Sequence, residues 1–221
     1  KNNYPLQGYQ ALMSNVEHVF DNALGYVTEL FSGSAHIWPQ EGVPHQGFSS
    51  GGVGLPWVRG MLGLEGDAAA GKIIFEPRFP ADWPEVSIDN FRLGQESFAF
   101  LYKRETGGVR LEVRSKKGSA FSLQFAPALG WGTRVRTVRV NGQAADFTIS
   151  SSGQVAQPQL RFQLSGRDVV ELEFDPAVEI LPPPIESQVG DFNKGLKIIR
   201  VEPEGKSLKV LVEGVAGRSY P

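Results

Sequence analysis

The chain has 221 residues, with 22 Lys and Arg against 24 Asp and Glu and a formal net charge of −2, so it lacks the basic excess of a nucleic-acid footprint. It has no Cys, which excludes disulfides, Cys-based zinc sites and a thiol nucleophile. No apolar run approaches the roughly 20 residues needed to span a bilayer, and no membrane or nucleic-acid partner is expected.

At about 150 residues per domain the length fits one to two domains, and 26 Gly with 15 Pro predict many turns. The opening Lys1-Asn2-Asn3-Tyr4 carries no Met and no signal-peptide pattern. The expectation is a processed chain or an internal piece of a longer one. Leu12, Val16, Val19, Phe20, Ala23 and Leu24 recur at three- and four-residue steps and predict an amphipathic helix over 6–23. Asn22 and Gly25 mark its end, and Tyr26 to Phe31 reads as extended. A polar loop spans 32–48, and Ser49 or Ser50 caps a second helix to about Leu62, kinked at Pro56. Gly51, Gly52, Gly54 and Gly60 lower helix propensity there, so close packing on a neighbour is expected to compensate.

From Lys72 the period of the pattern changes to two. Phe98, Phe100 and Tyr102 alternate with Ser97, Ala99, Leu101 and Lys103, and Leu111 and Val113 with Arg110, Glu112 and Arg114. Strands are also expected at 72–75, 86–93, 121–125, 137–140, 146–150, 159–164 and 168–174, with tight turns at Thr106-Gly107-Gly108 and Asn141-Gly142. Such spacing predicts an antiparallel β-sandwich. Leu181-Pro182-Pro183-Pro184 reads as a stiff linker, and 195–203 with 207–213 as one hairpin of a further β unit, marginal alone.

Functional side chains concentrate in the loop: Glu29, His36, Trp38, Gln40, Glu41, His45, Gln46 and Ser49. Long ordered loops often carry function. A metal held by His36, His45 and a carboxylate fits no common ligand spacing, and Phe48-Ser49-Ser50-Gly51-Gly52 lacks the frame of a serine nucleophile elbow. Gly51-Gly52-Val53-Gly54 is too loose for a phosphate loop and reads as helix packing. Nothing calls for a metal or a cofactor. A carboxylate with aromatic, amide and imidazole neighbours suits sugar chemistry, in which two carboxyl groups hydrolyse the glycosidic bond. On spacing alone, Glu29 equally reads as an exposed loop acid.

Glu29-Leu30-Phe31-Ser32-Gly33, then Pro44-His45-Gln46-Gly47-Phe48-Ser49-Ser50-Gly51, then Gly60-Met61-Leu62-Gly63-Leu64, resembles the last helical hairpin of the six-hairpin, (α/α)6-barrel glycosidases. The bacterial glycogen-debranching, amylo-α-1,6-glucosidase-like group is the nearest in pattern. The junction Phe75-Glu76-Pro77-Arg78-Phe79-Pro80-Ala81-Asp82-Trp83-Pro84-Glu85-Val86 and the turn Val138-Arg139-Val140-Asn141-Gly142 resemble that family's passage into a C-terminal sandwich. The resemblance covers about residues 6–175, with Phe48 where the family has Trp.

The resemblance implies a mixed fold: terminal helices of an (α/α)6 barrel, incomplete, at 1–71 and an antiparallel β-sandwich at 72–177. A Pro-rich linker at 178–190 and the incomplete start of a further β unit at 191–221 complete the expected organisation. It implies an inverting glycoside hydrolase acting on α-glucosides or related oligosaccharides, with Glu29 as the catalytic base. Trp38, Glu41, His45 and Gln46 would contact the sugar, and the general acid and the rest of the barrel would lie outside this chain. A non-catalytic carbohydrate-binding or structural sandwich is one alternative. A phosphorylase is another, disfavoured because loop 32–48 holds no Lys or Arg. The compartment stays open; the lack of Cys and the sandwich lean towards a periplasmic or secreted one.

Overall fold

A computed structural model describes residues 4–20, 25–30, 42–115, 120–152, 154–175, 177–186, 194–205 and 207–220. The described chain divides into two compact units. One spans 62–181; the other combines 4–61 with 182–221.

Strands dominate the first unit. One sheet runs β1 (Leu64–Asp67), β2 (Lys72–Phe75), β6 (Ser122–Phe125), β11 (Val155–Gln163) and β10 (Thr148–Ser152), with the short β7 (Leu129–Gly130) also paired to β11. The other runs β3 (Glu85–Leu93), β4 (Glu96–Glu105), β5 (Gly108–Ser115), β12 (Arg167–Asp175), β8 (Arg134–Val140) and β9 (Gln143–Ala144). Pairing is antiparallel except between β2 and β6, whose intervening chain forms β3, β4 and β5 of the opposite sheet. Aromatic side chains join the sheets: Phe75 of β2 lies 5.3 Å from Phe100 of β4, between ring centroids, and Phe98 lies 5.4 Å from Phe121. The period-two pattern is the cause. Phe98, Phe100, Tyr102, Leu111, Val113, Val170 and Leu172 are all buried, and their strand neighbours turn outward.

The turns follow local chemistry. Asn141 and Gly142 both take positive φ, 53° and 79°, as a two-residue hairpin turn of the primed type requires. Asn90, at φ 58°, sits where the β3–β4 register shifts between Ile88 and Phe91, a bulge on an edge strand. β11 runs through Pro158, which the sequence reading left outside the strand. Pro158 faces Ile149 of β10, while β6 pairs β11 only from Leu160 onward, so the missing N–H breaks no ladder bond on that side. Gly63, at φ 62°, lies so close to the Glu76 backbone that a Cβ would collide with its carbonyl. This glycine of the Gly60–Leu64 motif therefore has a structural reason: Glu76 N donates to Gly63 O at 2.9 Å.

The second unit holds α1 (Pro5–Val16), α2 (Gly47–Leu55), a π-helical turn (Pro56–Leu62, which runs one residue past this unit), and the hairpin β13 (Lys197–Glu204) with β14 (Ser207–Glu213). α1 packs on β13. Gln10 Nε2 donates to Leu196 O at 3.4 Å and Gln10 Oε1 accepts from Ile198 N at 3.3 Å.

The expected terminal helices of an (α/α)6 barrel are overturned. The described residues contain two α-helices, of 12 and 9 residues, against fourteen strands, and no helical barrel. Two local causes shorten the helices. Ser14 Oγ and Asn15 Nδ2 donate back to the carbonyls of Gln10 and Ala11, each at 2.8 Å, and such bonding competes with helix propagation. α1 stops at Val16 rather than 23, leaving Leu12 buried but Phe20 68% exposed. Pro56 lacks an N–H, and the α-helical ladder gives way there to the wider π turn. The packing explanation for Gly51, Gly52, Gly54 and Gly60 also fails among the described residues, since a Cβ at any of them would meet nothing within 4 Å. The segment 25–30, expected to be extended, forms no strand.

Candidate functional site

Glu29 and the Pro44–Gly51 segment, 15 residues or more apart in sequence, meet in the second unit. The backbone N–H of Glu29 donates to Val43 O at 3.0 Å, and its carboxylate Oε2 accepts from Val43 N at 3.2 Å. Two bonds thus clamp residue 29 to residue 43, one through the backbone and one through the catalytic candidate itself. Thr28, buried, adds its hydroxyl to Leu30 O at 3.2 Å, with Val43 O at 3.4 Å. Val27 N donates to Ser50 Oγ at 3.3 Å, fastening the same stretch to α2. Ser50 is therefore a strut in this arrangement.

Neighbouring positions in sequence carry an imidazole, an amide and aromatic rings. Tyr26 and His45 meet edge to face, with centroids 4.9 Å apart and planes at 86°, a geometry favoured by the ring quadrupole. Gln46 is the N-cap residue of α2 and makes no side-chain cap bond. Phe48, on the first turn of α2, is 90% exposed. The sequence reading noted Phe48 only for the aromatic it replaces; its position on a helix too short to bury it is what leaves the ring open.

Glu29 is exposed, with one carboxylate oxygen oriented by a backbone donor and the other facing no described partner. That is an oriented acceptor, able to hold a water or a hydroxyl. Of the expected site residues, Glu29 is tied to Val43, His45 packs against Tyr26, and Gln46 opens α2. Trp38 and Glu41, like His36, Gln40, Phe31 and Leu24, lie outside the described residues. Among the described residues no group of three His, Asp or Glu could hold a metal ion.

A second polar centre, which the sequence reading missed, lies in the first unit. Tyr102 is fully buried, and burial pushes its hydroxyl up to about 12, with the Arg104 guanidinium pulling the other way. Arg104 is paired with Glu179, whose Oε1 also accepts from Gly130 N at 3.2 Å. No sequence spacing joins positions 104 and 179; only the folded end of the sandwich does.

Compared with protein-family models, with curated proteins and with solved structures, the chain matches none.

Proposed function

We propose that this chain carries the base half of a glycoside-hydrolysing site, with Glu29 activating the attacking water on α-glucosides or related oligosaccharides. The observation that supports this reading is the clamp: Glu29 Oε2 is tied to Val43 N, so the carboxylate is positioned, while the remaining oxygen has no partner among the described residues. The resemblance of the Glu29 and Pro44–Gly51 motifs to the glycosidase pattern supports it as well. His45 and Gln46 offer hydrogen-bonding partners to sugar hydroxyls, and exposed Phe48 offers a face for a pyranose ring. An inverting hydrolase holds its two carboxyl groups about 6.5–9.5 Å apart with a water between. In this reading the general acid comes from outside this chain. Phosphorolysis ranks lower because the loop supplies no cation for phosphate.

The test is steady-state kinetics of the full-length parent protein, which in this reading supplies the acid, and of its Glu29→Gln variant on maltose and isomaltose. Gln keeps a carbonyl oxygen to accept from Val43 N–H, so the clamp survives, but it cannot take a proton. Turnover is expected to fall about 10²–10⁴-fold, the usual contribution of a positioned base, with KM changed much less. Turnover near that of the parent removes Glu29 from the mechanism. The strand-dominated composition favours one second reading, a non-catalytic carbohydrate-binding module. Saccharide binding without turnover in the parent would establish that instead.

A further inference from the structure

The hairpin β13–β14 has two unlike edges. The outer edge of β13 is closed by α1: Gln10 accepts from Ile198 N at 3.3 Å and donates to Leu196 O at 3.4 Å, and Gln7 Nε2 donates to Ile199 O at 3.5 Å. A register shift between Ile198 and Arg200, and a proline at 203, blunt that edge further. β14 has none of these devices. Among the described residues it pairs only with β13, and Ser207–Glu213 contains no proline. Alternate residues of such a strand turn their N–H and C=O outward, where they form a template for another strand. The C-terminal turn is fastened elsewhere. Tyr220 Oη donates to Lys194 O at 3.0 Å, ahead of β13, and accepts from Val215 N at 2.6 Å.

Burial stops at the same line. Ile198 and Val201 of β13 are buried, whereas Val212 and Val210, which face them across the hairpin and so share their side of the sheet, are exposed. Leu211, on the reverse side, is exposed as well. A hairpin of two strands is marginal at best, and further strands beside an apolar face stabilise it.

The residues of β14 select the occupant. Laid antiparallel on a second β14 with Leu211 opposite Leu211, the strand sets Val210 opposite Val212 and Lys209 opposite Glu213, and two-fold symmetry repeats each pair. Centring the pairing on Val210 instead would set Lys209 against Leu211 and Glu213 against Ser207, with neither charge matched. Within the hairpin Lys209 faces Glu202, which Arg200 engages at 3.4 Å, and no described ion pair holds Lys209. Glu213 gives Oε1 to Lys197 Nζ at 3.2 Å and keeps its second oxygen for the Lys209 of another copy.

We infer that β14 is a docking edge for a second copy of this chain. The two β14 strands pair antiparallel about Leu211 and make a four-stranded sheet in the order β13, β14, β14, β13. The contact is isologous and closes after two copies, because the outer edges of the new sheet are the two that α1 already closes. Nothing in this inference rests on the Glu29 reading.

The test is sedimentation velocity of the full chain over a dilution series, with the Lys209→Glu and Glu213→Lys variants run singly and mixed. The parent is expected to pass from monomer to dimer as concentration rises. Each variant alone sets like charges opposite each other twice, and its dimer should weaken at least about tenfold. In the equimolar mixture every Glu meets a Lys again, and the heterodimer should return to near the parent's strength; a hairpin damaged by the substitution would gain nothing from mixing. The chain has no Cys, so Leu211→Cys supplies a second reading. Mild oxidation should join two copies of that variant, whereas Ser207→Cys, whose counterpart lies at the far end of the partner strand, should stay unjoined. A parent that is monomeric throughout the series overturns the proposal, even if another protein binds the hairpin. So does a mixture no stronger than its components, or oxidation of Ser207→Cys as fast as that of Leu211→Cys.

Discussion

The two polar centres of the molecule differ at the level of single side chains. Glu29 is exposed and held by one backbone donor; Tyr102 is sealed in the core, 1% exposed, next to an ion-paired guanidinium. The second arrangement has a consequence in alkali. Tyr102 in the folded chain titrates near 12 against 10.0 for a free tyrosine. As pH rises the unfolded chain loses this proton first, so the stability is fully present below about pH 10 and is lost progressively up to about 12. The midpoint of urea unfolding should therefore fall across that window more steeply in the parent than in Tyr102→Phe. In the folded protein, the last step of tyrosinate absorbance should vanish in the variant. A parent and variant with superimposable alkaline profiles would contradict the buried placement.

Between residues and sheets stands a network that fixes where β12 begins. Asp168 is 1% exposed, and its carboxylate accepts from Ser165 N at 2.8 Å, Ser165 Oγ at 2.7 Å and Asn141 Nδ2 at 2.9 Å. Asn141 in turn accepts from Val169 N through its side chain at 2.8 Å and donates its own N–H to Val169 O at 2.8 Å. The Asn141-Gly142 turn is thus pinned to the neighbouring strand. Asn suits the place twice over, tolerating positive φ and supplying both halves of an amide. Removing the shared acceptor loses three hydrogen bonds to a charged group, worth about 1.5–3 kcal/mol each at most and less where water replaces the carboxylate at the exposed Ser165 and Asn141. Asp168→Ala should lower stability by about 2–4 kcal/mol and Asp168→Asn by less, since the amide oxygen still accepts. Denaturant midpoints of the two variants check the order; equal values would mean the network contributes little.

Across the whole molecule the apolar interior is unevenly shared. In the 62–181 unit, Ile73, Phe75, Leu111, Leu123, Phe125 and Val170 are all at 0% exposure. In the other unit the hairpin leaves Ile199, Val210, Leu211 and Val212 each between 39% and 48% exposed. Regions with few buried apolar contacts open locally at low free energy. Amides of β4, β5 and β12 should therefore exchange slowest with solvent, and those of β13 and β14 much faster. Hydrogen exchange followed by mass spectrometry reads this directly, and equal protection would show one cooperative unit.

Local rules carried much of this architecture, because they need only neighbours in sequence. The alternation at Phe98, Phe100 and Tyr102 predicts β4, and the dipeptide Asn141-Gly142 predicts its turn. The same local rules failed over the helices. Periodicity from Leu12 to Leu24 predicts a helix longer than the one that stops at Val16, and the barrel implied by the family resemblance is absent from the described residues, which are mainly strands. β1, β7 and β9 escaped notice because strands of two to four residues have too few alternations to register. The sequence alone determined the strand pattern, the turns and the carboxylate to watch. Only the tertiary structure decided that Val43 would orient Glu29, that β2 would run parallel to β6, and that Arg104 would meet Glu179. Each of these depends on segments distant in sequence, whose approach is set by burying the aromatic core between two sheets rather than by any local preference.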